Sequence, residues 1–148
     1  MPEARLSVDH HLARGGLSPF ALGFRPFFLG AGAAAILLMG VWLAVLGGHL
    51  SPPGYYPGTA WHAHEMLFGY IAAVIAGFLL TAVRNWTGMP TPTGPWLAGL
   101  FGLWVAARIA PFLPLPGLAV AALDLAFFPL LALGLARPLW RGDNRTNR

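Results

Sequence analysis

The chain has 148 residues, of which 57% are hydrophobic and only 9% charged, against about a quarter charged in an ordinary soluble domain. That composition excludes a water-facing globular surface and points to a polytopic membrane protein. All nine basic residues are Arg, scattered rather than clustered with stacking aromatics, which excludes a nucleic-acid role; the absence of Cys excludes disulfides, thiolate nucleophiles, iron–sulfur clusters and Cys-rich zinc sites.

A polar leader, residues 1–26, precedes the membrane domain, residues 27–140, and an Arg-rich tail, residues 141–148, follows it. Four apolar runs are long enough to cross a hydrocarbon layer of about 30 Å: about 27–46, 64–83, 95–112 and 115–136. Gly47-Gly48, Pro52-Pro53-Gly54, Pro90 with Pro92, and Pro114 with Pro116-Gly117 supply turn chemistry between them. Arg5, Arg14 and Arg25 precede the first run, Arg84 follows the second, and Arg137, Arg141, Arg145 and Arg148 follow the fourth, while the two remaining loops carry no Arg. Arg is retained on the cytoplasmic side of short loops. The expected fold is therefore an all-α integral membrane protein with four transmembrane helices and both termini cytoplasmic. Trp61, Trp86, Trp96 and Trp140 fall where an interfacial aromatic belt is expected.

Polar groups inside these runs are the candidate functional residues, because an ionisable side chain at mid-membrane costs about 2.5–3.5 kcal/mol on insertion scales. Arg108 and Asp124 are separated by roughly 6 Å along the membrane normal at helical rise. Each leans toward the other, since Cβ atoms tilt toward a helix N-terminus. They read either as an ion pair pinning two helices or as part of a proton path or ligand anchor. The second candidate is Trp61-His62-Ala63-His64-Glu65-Met66. His62, Glu65, Met66, Gly69, Ala73 and Gly77 share one helical stripe, and His64 shares another with Phe68, Ile71 and Ile75. On a regular helix the two His rings point about 200° apart, so they chelate one ion together only if the helix starts at His64. Imidazole and thioether suit haem iron and copper, which makes His62, His64, His49 and Met66 candidate ligands and Glu65 a candidate partner for a ligating ring. Arg25 marks the mouth of the first span or holds an anionic group such as a haem propionate. His10 and His11 read as solvated leader residues. No catalytic residue is identifiable.

Three blocks, Pro19 to Phe28, Trp61 to Gly69, and Ala76 to Val83 with Asn85 to Gly88, resemble the NnrS family of bacterial inner-membrane proteins that contain haem and copper and serve the nitric oxide and nitrosative stress response. The resemblance implies both cofactors, nitric oxide as the molecule encountered, and His62 and His64 as the foremost ligand candidates. Members of that family are longer and have more spans, so the chain is expected to correspond to an N-terminal portion whose neighbours are lipid and further helices or a second copy. The reading from a different class is a metal-free membrane module, a transporter subunit or partner protein, in which His62, Glu65, Arg108 and Asp124 form a polar path.

Overall fold

The computed structural model describes residues 20, 22–51, 54–56 and 58–142. Most of the leader, with His10 and His11, and the tail beyond Gly142 lie outside the described residues. The described residues form four helices long and apolar enough to span a membrane: α1 Phe24–Leu46, α2 Gly58–Thr87, α3 Gly94–Phe112 and α4 Gly117–Arg141. Residues Ala110–Phe112 close α3 as a 3-10 turn, where Pro111 cannot donate a helical hydrogen bond.

The helices exceed their hydropathic cores at several ends. The largest extension is in α2, which begins at Gly58 rather than His64 and runs to Thr87 rather than Val83. Gly88 then stops it in the left-handed conformation, φ 66°, its N–H bonded to the Arg84 carbonyl at 2.9 Å; only glycine takes that geometry without a steric penalty. The early start brings Trp61 into the helix and into the core, fully buried and edge-on to Phe112 at 5.7 Å. Trp61 is thus not a belt residue, whereas Trp86, Trp96 and Trp140 are exposed.

Consecutive helices run antiparallel, and α2 packs against α1 and α4 and touches α3 through its first half. Small residues on α2, Ala72, Ala73, Ala76 and Gly77, are buried, as helix contact in lipid requires close backbones more than bulk. Phe27 fills the centre, edge-on to Phe101 at 5.5 Å and tilted on Phe127 at 5.8 Å. At Gly30 a Cβ would lie 2.7 Å from Phe101 Cε2, so α1 approaches α3 there through the absence of a side chain. Large apolar residues such as Ile36, Leu118 and Leu125 face outward, the arrangement suited to a hydrocarbon solvent. One end of the bundle carries His49, His62 and His64; the other carries Arg25, Arg84, Arg137 and Arg141.

Candidate functional site

The histidine end is built around a change of helical pitch. From Glu65 to Ile71, α2 is a π-helix set between α-helical stretches Gly58–His64 and Ala72–Thr87. A π turn shifts the register of its hydrogen bonds and recurs at functional sites. Trp104 of α3 meets the altered backbone, donating from Nε1 to the Gly69 carbonyl at 3.1 Å. Replacing Trp104 by Phe is expected to destabilise the bundle by about 1 kcal/mol, one buried hydrogen bond; an unchanged melting temperature in detergent would overturn that role.

Where the π turn starts, four charged or polar side chains from three helices close into a ring. Arg108 of α3 donates from Nη1 to Glu65 Oε2 at 3.0 Å and pairs through Nη2 with Asp124 of α4. His64 joins the two carboxylates on the other side, Nδ1 against Glu65 Oε1 at 3.2 Å and Nε2 against Asp124 Oδ2 at 3.3 Å. Glu65 is completely buried and Asp124 nearly so. Tyr56, in the loop before α2, donates its hydroxyl to Asp124 Oδ2 at 3.4 Å. Burial, with Asp124 alongside, pushes the Tyr56 phenol above its usual range, so it remains a donor. The His64 ring is also held between Tyr56 and Phe68, each with centroids 4.6 Å away.

The expected approach of Arg108 and Asp124 is present, as an ion pair joining α3 to α4. The polar path drawn from the sequence already set Glu65 with Arg108 and Asp124; what it missed is that His64, and not His62, completes the network, with Tyr56 beside it. Glu65 is not a partner of His62: its two oxygens face His64 and Arg108.

His62 points elsewhere. Its ring stacks on Trp42 of α1, centroids 4.6 Å apart and planes within 7°, and its Nδ1 is buried with no hydrogen-bond partner among the described residues. Because α2 begins at Gly58, both His rings sit on continuous helix and diverge, as regular geometry requires. Met66 follows His62 by four residues and is half-buried. His49 is exposed in the turn after α1. Arg25 lies at the opposite end of α1, a helix about 34 Å long by its 1.5 Å rise, and is not brought near any of these residues.

These surroundings distinguish the candidate ligands by chemistry. Each nitrogen of the His64 ring faces a carboxylate oxygen, so neither is directed toward a metal while both contacts hold. Arg108 sits between Glu65 and Asp124 where a cation would otherwise neutralise them. The donor set around His64 therefore does not fit a metal. His62, whose Nδ1 has no hydrogen-bond partner among the described residues and which has a thioether four residues on, would be the side chain to hold haem, supplying an imidazole to its iron.

No curated protein and no solved structure matches the chain. The model of one family, NnrS protein, matches residues 18–148, from just before the Pro19-to-Phe28 block through all four helices. On that match, which covers most of the sequence, the chain belongs to the NnrS family.

Proposed function

We propose that this chain is a haem- and copper-associated component of the nitric oxide response in the bacterial inner membrane, with His62 as its principal metal-binding side chain. The observation that carries the reading is the buried Nδ1 of His62, with no hydrogen-bond partner among the described residues, on a ring stacked against Trp42, beside a His64 whose nitrogens both face carboxylate oxygens. Trp42 holds the imidazole plane, the buried Nδ1 faces the protein so that Nε2 would be the nitrogen offered to a metal, and Met66 supplies a soft thioether four residues on. Haem iron bound to such an imidazole supplies nitric oxide binding and electron transfer. The ring of His64, Glu65, Arg108 and Asp124 holds α2, α3 and α4 in register beneath that ligand. The gathering of Arg residues at the opposite end supports a sidedness in which that end is cytoplasmic and His62 faces outward.

The test is an absorption spectrum of the detergent-purified chain, oxidised, reduced, and reduced with nitric oxide. The expected result is a Soret band that shifts with nitric oxide, is lost in His62→Ala and is retained in His64→Ala. A band of equal strength in His62→Ala would reassign the ligand. A featureless spectrum from folded protein would favour the metal-free module, for which the mutual pairing of His64, Glu65, Arg108 and Asp124 is the supporting observation.

A further inference from the structure

Both acidic side chains among the described residues, Glu65 and Asp124, are spent on Arg108 and His64 at the histidine end. The other end of the bundle carries four Arg and no described acid. Its sharpest feature is on α4, where Leu133, Arg137, Trp140 and Arg141 recur at four-, three- and one-residue steps and line an open cleft of about 600 Å³ together with Ala136. Such spacing places them on one helix face. Trp140 is 88% exposed, the most exposed large hydrophobic residue described, and Leu133 is 62% exposed. Arg137 and Arg141 are exposed as well.

The order along the helix is that of an amphiphile. Leu133 lies deepest toward the bundle centre and Arg141 nearest the end, about 12 Å apart at helical rise. An acyl chain fits beside Leu133 and Ala136, Trp140 supplies an indole at headgroup level between the two Arg, and two guanidiniums one turn apart suit a phosphate oxygen pair. A free phosphate ion has no use for the apolar half of this face, and an acidic protein or nucleic acid has none for a leucine set toward the hydrocarbon. We propose that the Leu133–Arg141 face of α4 binds an anionic phospholipid, the phosphate held by Arg137 and Arg141 and one acyl chain lying along Leu133. This site lies at the opposite end of the bundle from His62 and does not depend on metal binding there.

The experiment uses the full 148-residue chain in dodecylmaltoside, with palmitoyl-oleoyl phosphatidylglycerol as probe and the phosphatidylcholine of the same chains as control. Binding is read by native mass spectrometry and by the melting temperature. Phosphatidylglycerol is expected to bind and to raise the melting temperature, while phosphatidylcholine does neither. At roughly fivefold in affinity per Arg near an anionic headgroup, Arg137→Gln with Arg141→Gln is expected to weaken binding by roughly 25-fold, whereas Arg84→Gln, on α2, changes it less than twofold. Equal binding of the two lipids, or equal loss in Arg84→Gln, would overturn the site in favour of non-specific adsorption or diffuse charge. Inorganic phosphate producing the same protection would overturn it in favour of an ion site.

Discussion

Replacing Arg108 by Met is expected to destabilise the bundle by about 3–5 kcal/mol, the cost of leaving a buried ionic partner uncompensated. Glu65, with no exposed surface, and the nearly buried Asp124 would keep only His64 between them and lose the guanidinium that links α3 to both α2 and α4. Titration with sodium dodecyl sulfate from a mild detergent reads the loss as a shifted unfolding midpoint. The informative companion is the triple variant Arg108→Met, Glu65→Leu, Asp124→Leu. Apolar replacement of an entire buried ionic group is often neutral or stabilising, so the triple variant is expected to recover most of the lost stability. A triple variant as unstable as the single one would show that shape, and not charge balance, is what the cluster contributes.

Gly69→Leu is the second substitution with a large expected effect. A Cβ at this position would stand 3.0 Å from Glu65 Oε2 and 3.1 Å from Leu38 Cδ1, with Arg108 Cδ at 3.4 Å. Leucine adds three more carbons to a space already closed by α1, by α3 and by the charged ring itself. Overpacking of this kind costs about 1–3 kcal/mol, and here relief requires either α1 to move outward or the Glu65 carboxylate to leave Arg108. The unfolding midpoint is expected to fall, and Gly69→Ala, with one added carbon, to fall by less. A Gly69→Leu variant as stable as the parent would mean that the π turn relaxes to an ordinary helix at no cost.

The four spans were legible because apolar runs of about twenty residues between Gly- and Pro-rich turns leave little choice in lipid. Their ends were less so. The polar start Trp61-His62 hid the early beginning of α2, and Trp61, typical of an interface by type, is buried by Phe112. In the site, Arg108 and Asp124 could be paired on paper, since both are costly in hydrocarbon and lean toward one another. Glu65 could be set beside them in a polar path, but the inclusion of His64 in place of His62 could not be foreseen. Neighbours in sequence point about 100° apart on a regular helix, and their convergence on one ion cluster coincides with a π turn that no residue spacing announces. The divergence of His62 from His64, by contrast, followed from helical geometry alone once the helix was known to include both. Tyr56 carried no signal beyond its place in the loop.

The Arg108–Asp124 pair has a consequence for how the chain enters the bilayer during synthesis. α3 is the least apolar of the four helices and carries Arg108, while α4 follows after a turn of a few residues at Leu113 to Pro116. Released singly into lipid, each helix would carry an unneutralised charge. Inserted together as a hairpin, they would enter lipid with those charges already matched, so α3 and α4 are expected to insert as one unit.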